Sequence, residues 1–195
     1  MDEGYIKYNC HWEKATVHYN AQMEDINRCR SLLYQEGWIG MYANGIGYGN
    51  ISIRSTPHFM ITGSATGGYA TLTSDHFSTV TGYDLIKNEV SCYGPIKASS
   101  ESLTHAAIYE TDPEVNAVMH IHNKAMWQML LHKVPTTVAE VPYGTPDMAE
   151  EIKRLFRETN VAAQKIIAMA GHEEGIIAFG ATLNEALNIL FLHKK

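Results

Sequence analysis

Residues 98–122 read ASSESLTHAAIYETDPEVNAVMHIH, and the second half of this stretch predicts a β-strand over residues 115–122 that ends on two histidines. Side chains alternate between the faces of a strand, so His120 and His122 share one face while Met119 and Ile121 point to the other. Two imidazoles one strand repeat apart can chelate a single cation. Two hydrogen-bonded histidines at a sheet surface would show the same spacing, so the pair alone leaves both interpretations open.

The first half of the same stretch predicts a helix over residues 100–109. Ser99 and Ser100 stand at its start, where a hydroxyl can cap the helix and the free N–H groups can bind an anion. Glu101 and His105 are four residues apart and therefore neighbours on one helix face. A purely structural helix with an acidic first turn would look the same, because helices favour negative charge at that end.

The elements around this stretch predict the fold class. Helices are expected over residues 20–36, 124–132 and 146–158, with a last helix opened by a capping box at 182–185. Strands are expected over 51–54 and 59–62 around a turn at 55–57, over 80–85 and 89–93, and over 166–169 and 175–179. Early hairpins followed by alternating strands and helices predict a mixed, largely antiparallel sheet with helices packed on it. No repeat or linker divides the chain, so residues 1–195 are expected to form a single domain.

Two glycine turns and one late histidine are the other candidate site features. Gly49-Asn50 precedes a strand and Thr62-Gly63 follows one, and backbone N–H groups at such turns can hold a phosphate. The spacing Gly45-x-Gly47-x-Gly49 is not a dinucleotide fingerprint, since a strand rather than a helix follows it. His172 lies in a glycine-flanked turn at residues 171–175, from which it can reach inward as a ligand or remain solvated.

Composition excludes several classes of function. The 195 residues carry a net charge of −6, which argues against a nucleic-acid partner. No apolar run approaches the roughly 18 residues of a membrane span, and the start of the chain lacks the pattern of a signal peptide. Three cysteines without a Cys-x-x-Cys pair make a disulfide framework unexpected and favour a reducing cytoplasm. Only 18% of residues are charged, which suggests that part of the surface is buried against other subunits.

The order of these motifs is more specific than any one of them. Gly-Asn-x-Ser, then Thr-Gly, then Ser-Ser-Glu with a histidine four residues on, then His-x-His and a late glycine-flanked histidine: this order resembles the class II aldolase/adducin family, in particular the fuculose-phosphate aldolase type. The resemblance runs from about residue 20 to the end of the chain. It implies a three-layer α/β/α sandwich around a mostly antiparallel sheet, and a homotetramer with active sites at subunit contacts.

The resemblance also implies roles for individual residues. His120, His122 and His172 match the three imidazoles that hold one divalent metal per subunit, commonly Zn²⁺, with Mn²⁺ or Co²⁺ as alternatives. Glu101 matches the carboxylate that ligates the metal when no substrate is bound and that serves as acid and base. The groups that bind the phosphate of the substrate are matched by Gly49, Asn50, Thr62, Gly63, Ser99 and Ser100.

The implied activity is that of a lyase. Such an enzyme cleaves a small sugar phosphate or hydroxy-carbonyl compound by a retro-aldol route through a metal-bound enediolate. A sugar-phosphate dehydratase or 4-epimerase with the same metal site is the alternative, and glutamate rather than aspartate at position 101 favours an aldolase or a dehydratase. A non-catalytic, adducin-like interaction module is a further alternative, which the retention of all three histidines opposes.

Three features depart from the family pattern. Glu173 and Glu174 follow His172 where sugar-phosphate aldolases have glycine, and they are expected to add negative charge near the metal. The loop over residues 62–68 also differs. The chain ends at residue 195 without the longer tail that can lend a tyrosine to a neighbouring site, so Tyr143, or else Tyr109, is expected to substitute as the catalytic tyrosine. The aromatic residues Trp38, Tyr42 and Tyr48 are interpreted as core or subunit contacts.

Overall fold

The computed structural model describes residues 5–55 and 57–194. The first four residues, on which the expectation about a signal peptide partly rests, and Thr56 of the predicted 55–57 turn lie outside these ranges. Of the helices in the described ranges, none has the length and apolar character needed to cross a bilayer.

The described chain has a run of strands in its first half, over residues 40–94, and more helices in its second half. The strands are β1 (Asn9–Lys14), β2 (Gly40–Met41), β3 (Gly47–Tyr48), β4 (Asn50–Ser55), β5 (His58–Thr62), β6 (Phe77–Asp84), β7 (Glu89–Gly94), β8 (Ala117–His122), β9 (Ile166–Ala168) and β10 (Gly175–Gly180). The helices are α1 (Ala21–Gln35), α2 (Ser102–Thr111), α3 (Lys124–Leu130), α4 (Pro146–Glu158), α5 (Val161–Gln164) and α6 (Leu183–Leu192).

The main sheet has the order β1-β7-β6-β5-β4-β8-β10-β9. β1 runs parallel to β7, and the other neighbouring strands are antiparallel. The prediction of a mixed, largely antiparallel sheet is therefore confirmed. β2 and β3 form a separate small hairpin, which leads directly into β4.

Helices cover both faces of this sheet, which gives the expected three-layer α/β/α sandwich. One core contains residues of α2 and α4, and Val118 of β8 packs into it. The other core contains residues of α1, α3 and α6, and it receives Met119 and Ile121. Because side chains alternate along a strand, His120 and His122 project on the same side as Val118, toward the layer of α2 and α4.

Local sequence signals placed most element ends correctly. Asn20 caps α1, and Thr145 caps α4 with Pro146 in its first position. The helix predicted over 100–109 begins later, at Ser102, with Glu101 as its N-cap. The expected serine cap is wrong, because the Ser99 hydroxyl accepts the Glu101 amide ahead of the helix. The strand β1 and the β2–β3 hairpin were not predicted: β2 and β3 have only two residues each, and the sequence analysis missed the alternation of β1, in which Cys10 and Trp12 are half-buried.

The cysteines in the described chain are free. Cys10 and Cys92 lie on the neighbouring strands β1 and β7 with their sulfur atoms 3.9 Å apart. Burial raises the pKa of the Cys10 thiol to about 11, and the neighbouring Cys92 adds to this effect. The Cys10 thiol is therefore kept protonated and poorly nucleophilic near neutral pH.

Candidate metal centre

Three histidines from two elements meet at one end of β8. The imidazoles of His120, His122 and His172 place their potential ligand nitrogens within 4.8 Å of one another, and each residue is buried. The Nε2 atoms of His120 and His122 are 3.0 Å apart. The sequence proposed these three residues, and the structure brings them together although 50 residues separate His122 from His172.

The hairpin between β9 and β10 explains why His172 arrives there. Gly175 pairs with His122 in the β8–β10 register, so the turn at 171–175 lies beside the end of β8. The Gly175 amide donates to the His172 carbonyl at 2.8 Å, which tightens the turn. The Asn123 amide donates to the Glu174 carbonyl at 3.0 Å and fastens the turn to the residue that follows β8. Sheet register therefore positions this side chain.

The electrostatics of the cluster favour a neutral imidazole at His120. Burial lowers the pKa of His120 well below its usual value, and the neighbouring His122 and His172 lower it further. A neutral imidazole has a free lone pair, which is the form that binds a metal. Three buried nitrogens that converge on one point therefore fit a divalent cation such as zinc, and they leave room for a further ligand from the substrate.

Glu101 adds a carboxylate to this cluster. It stands at the N-cap of α2, is only 2% exposed, and holds one carboxylate oxygen 3.6 Å from His172 Nδ1. A buried carboxylate is costly unless charged or polar groups compensate it. The position beside three imidazoles suits either a fourth metal ligand or a group that exchanges a proton with a bound molecule.

A cavity opens beside His120 and Glu101. Of the residues proposed to bind phosphate, it is lined by Gly49, Asn50, Gly63, Ser99 and Ser100. A bridge between Gly63 and Ala98 joins the second glycine turn to the serine segment and so brings them to one wall. Thr62 is not among the described lining residues, because its hydroxyl accepts the Ile51 amide at 3.2 Å within the sheet.

Gly49 and Asn50 owe their position to the start of β4. Asn50 pairs directly with His120 in the β4–β8 register. Its buried side-chain oxygen has no hydrogen-bond partner in the described part of the chain. Gly49 has a φ of +78°, and a Cβ there would lie 2.6 Å from an Ile39 side-chain atom. Only glycine therefore fits at this position, which lets the backbone turn into the strand beside the cavity.

The sequence analysis missed a buried cation, Arg30, which lies beneath the loop over residues 64–68. Arg30 of α1 is fully buried, and its guanidinium donates to the carbonyls of Thr66, Gly67 and Tyr69 at 2.8–3.0 Å. Burial lowers its pKa to about 10. Because C=O and N–H point to opposite sides of a trans peptide, the amides of Gly67 and Gly68 face away from this guanidinium.

The loop over residues 64–68 consequently presents free donors. None of the amides of residues 65–68 donates a hydrogen bond within the described chain, and Ala65, Thr66 and Gly67 line the cavity. Successive free backbone N–H groups are a typical anion site. The described lining residues include neither lysine nor arginine. Neutral donors and the Arg30 charge beneath them would therefore have to attract an anion.

The two candidate tyrosines occupy different surroundings. Tyr143 stacks on His172, with ring centroids 4.4 Å apart, and Lys7 Nζ lies over the face of its ring, 3.8 Å from the centre. Tyr109 lies in the core instead, where its hydroxyl and the Ser52 hydroxyl are 2.8 Å apart. Ser52 also contacts His105 Nδ1 at 2.7 Å, so His105 belongs to this core cluster rather than to the metal centre.

The acidic residues after His172 are both engaged. The Lys124 ammonium donates to Glu173 at 2.8 Å on the surface, which neutralises that charge. The hydroxyl of Tyr42 donates to Glu174 at 3.0 Å and also lies 2.9 Å from His122 Nδ1. The interpretation of the aromatic residues as core or subunit contacts therefore misses Tyr42. Its contact partners are 80 and 132 residues away, so no local signal could have identified it.

Comparisons with known proteins agree with this arrangement. Residues 24–194 match the family model described as Class II Aldolase and Adducin N-terminal domain. A 5-methylthioribulose-1-phosphate/5-deoxyribulose-1-phosphate aldolase of Escherichia coli O45:K1 (strain S88 / ExPEC) is 31% identical over 166 residues. The matched segment is 75% of this chain and 71% of that protein.

Solved structures show the same fold. The L-fuculose-1-phosphate aldolase of Thermus thermophilus superposes with a TM-score of 0.65 at 22% identity, over 89% of this chain and 90% of that one. A sugar-phosphate aldolase from Thermotoga maritima superposes with a TM-score of 0.64 at 16% identity, over 88% and 89% of the two chains.

Proposed function

The chain belongs to the class II aldolase and adducin family, and on this premise we propose that it is a metal-dependent aldehyde-lyase. It would cleave a small sugar phosphate or hydroxy-carbonyl compound by retro-aldol chemistry. One observation carries the proposal: three buried imidazoles and a buried carboxylate converge at the edge of a cavity whose other wall presents hydroxyls and free amides.

The metal-binding residues of the proposal are His120, His122 and His172, with Glu101 as a ligand when no substrate is bound. One divalent ion per subunit fits this donor set, with Zn²⁺ as the first choice and Mn²⁺ or Co²⁺ as alternatives. A bound cation would polarise the carbonyl and neighbouring hydroxyl of the substrate and so stabilise developing negative charge by several kcal/mol.

Two protein groups would move protons in this reaction. Glu101 lies beside the metal ligands; it would act as general acid in cleavage, giving a proton to the carbon released by the broken bond, and as general base in the reverse direction. Tyr143, stacked on His172, would take the proton of the hydroxyl that becomes the aldehyde. Its ring contacts both this imidazole and the Lys7 ammonium. Both residues lie on the side of β8 that faces α2 and α4.

A phosphate group of the substrate would bind at the glycine and serine wall. The proposed contacts come from Gly49, Asn50, Gly63, Ser99 and Ser100, with the Thr62 hydroxyl supporting the turn. The amides of residues 65–67, which line the same cavity, add donors, and the guanidinium of Arg30 adds a positive field from beneath. Holding the phosphate in this way would fix the reacting carbons in register with the metal.

The name of the relative from E. coli narrows the substrate class. That protein is a 5-methylthioribulose-1-phosphate/5-deoxyribulose-1-phosphate aldolase, so we propose a ketose 1-phosphate as the substrate here. The dehydratase and 4-epimerase alternatives share the same metal site and are separated by their products. We also propose a single domain over residues 1–195, a homotetramer and a cytoplasmic location, with no nucleic-acid partner.

The test combines metal analysis with product analysis. Purified protein should contain about one zinc per chain, and His122→Ala and His172→Ala should lose it together with turnover. His11→Ala removes an exposed histidine of β1 and is the matched control. Release of a three-carbon phosphate from a ketose 1-phosphate supports the aldolase, whereas loss of water without fragmentation supports a dehydratase. Absence of metal uptake in the wild-type protein would favour the adducin-like module.

A further inference from the structure

The Tyr42 hydroxyl connects a carboxylate to one of the three histidines. It donates its proton to Glu174 Oε2 at 3.0 Å, and it lies 2.9 Å from His122 Nδ1. A phenol has only one proton, and an ionised carboxylate can only accept. Because that proton goes to Glu174, the phenol oxygen must accept from His122, so the imidazole proton lies on Nδ1.

This assignment decides which nitrogen of His122 carries the lone pair. With the proton on Nδ1, the lone pair belongs to Nε2. The Nε2 atom is the one that lies 3.0 Å from Nε2 of His120, at the centre of the cluster. The chain Glu174–Tyr42–His122 therefore holds His122 in the tautomer that metal binding through Nε2 requires.

Both partners are held in place by their own elements. Tyr42 stands at the turn of the β2–β3 hairpin, where its amide donates to the Ile46 carbonyl at 2.8 Å and its ring packs on Tyr48 with centroids 4.5 Å apart. Glu174 adopts a φ of +72°, a backbone conformation in which residues other than glycine are strained. A glycine would relieve this strain but would remove the carboxylate.

We infer that Glu174 and Tyr42 are positioning residues that set the tautomer and direction of His122 and so tune the affinity of the centre for a divalent cation. This inference rests on the proposed metal site. The two acidic residues after His172 differ in their contacts. Glu173 pairs with Lys124 on the surface, whereas Glu174 contacts Tyr42 and acts on His122 through it. The added charge therefore supports the metal ligands instead of opposing the substrate.

The first experiment reads the tautomer in metal-free protein. Long-range ¹H–¹⁵N NMR distinguishes a proton on Nδ1 from one on Nε2, with His122→Ala used to assign the signal. We expect the Nδ1–H form in the wild type and its loss in Tyr42→Phe. In Glu174→Ala the phenol can donate its proton to Nδ1 of His122, so the imidazole proton should shift to Nε2. An Nε2–H form in the wild type would overturn the inference, whether or not the protein binds metal.

The second experiment reads metal affinity with Zn²⁺ and Co²⁺ as probes. Tyr42→Phe and Glu174→Ala should weaken binding about 10- to 100-fold and alter the Co²⁺ absorption bands, while Glu173→Ala should match the wild type. Glu174→Gln keeps an acceptor for the phenol and should rescue most of the affinity. Wild-type affinity in both Tyr42→Phe and Glu174→Ala would contradict the inference and leave the metal site intact. Failure of the wild type itself to bind would refute the proposed function separately.

Discussion

One buried histidine outside the metal centre should contribute, alongside His120, to the loss of folding stability at acid pH. His105 is fully buried in α2, and its Nδ1 atom lies 2.7 Å from the Ser52 hydroxyl. Burial lowers its pKa to about 3. In the unfolded chain the pKa returns to about 6.5. Between pH 6.5 and pH 3, His105 is protonated in the unfolded chain but stays neutral in the folded chain. The free energy of unfolding is therefore unaffected by this residue above pH 6.5 and decreases as the pH falls toward 3.

The size of this effect follows from the two pKa values. At about 1.4 kcal/mol per pKa unit, the whole difference is worth up to about 5 kcal/mol below pH 3. At pH 5 only the unfolded state is protonated, and the loss is about 2 kcal/mol. A loss of this size is a large part of the roughly 5–15 kcal/mol that stabilises a typical domain.

The assay is urea unfolding of metal-free protein in a chelator, at one protein concentration, at pH 8, 6.5 and 5. His105→Asn removes the titrating group, so from pH 8 to pH 5 the wild type should lose about 2 kcal/mol more than this variant. Tyr109→Phe deletes a hydroxyl of the same cluster but keeps the imidazole. It should lower stability at every pH and leave the slope unchanged. Parallel pH profiles of wild type and His105→Asn would refute the reasoning.

Two further predictions concern the loop beside the cavity. A Cβ on Gly67 would lie 2.1 Å from the Gly40 carbonyl oxygen, so Gly67→Ala should lower the free energy of unfolding by about 3 kcal/mol. A Cβ on Gly68 meets only the flexible side chain of Met41, so Gly68→Ala should lower it by less than about 1 kcal/mol. Thermal unfolding measures both. Arg30→Met leaves loop carbonyls without donors, so it should lower the free energy of unfolding by about 2–4 kcal/mol and weaken the binding of inorganic phosphate measured by calorimetry. Arg28→Met, on the exposed face of α1, should change neither quantity. Equal phosphate affinity in both variants would show that the buried charge has no part in anion binding.

Local patterns predicted the elements of this protein well. The caps at Asn20, Thr145 and Thr182 each accept a backbone amide three residues ahead, as their sequence context indicated. The alternation of β8 placed His120 and His122 on one face, and the structure agrees. These signals depend on residues within one turn or one strand repeat, so the sequence contains them in full.

The edge strand β1 shows where such signals stop. Asn9–Lys14 does alternate, with Cys10 and Trp12 half-buried against one core and exposed polar residues between them, but this pattern does not indicate the strand with which it pairs. It becomes a strand because β7, about 80 residues later, offers a free edge with which it pairs in parallel. Pairing over that separation depends on where the rest of the sheet lies, which no window of the sequence records.

Most helices and strands, the family and the set of candidate ligands could be predicted from the sequence, because each depends on residue type and on spacing over short distances. The folded chain was needed to see that His172 reaches the paired imidazoles, that Arg30 supports the loop at residues 64–68, and that Tyr42 joins Glu174 to His122. Contacts of this kind are set by sheet register and by the packing of layers. They form between residues that are far apart along the chain, and only the assembled fold brings those residues within a hydrogen-bond length.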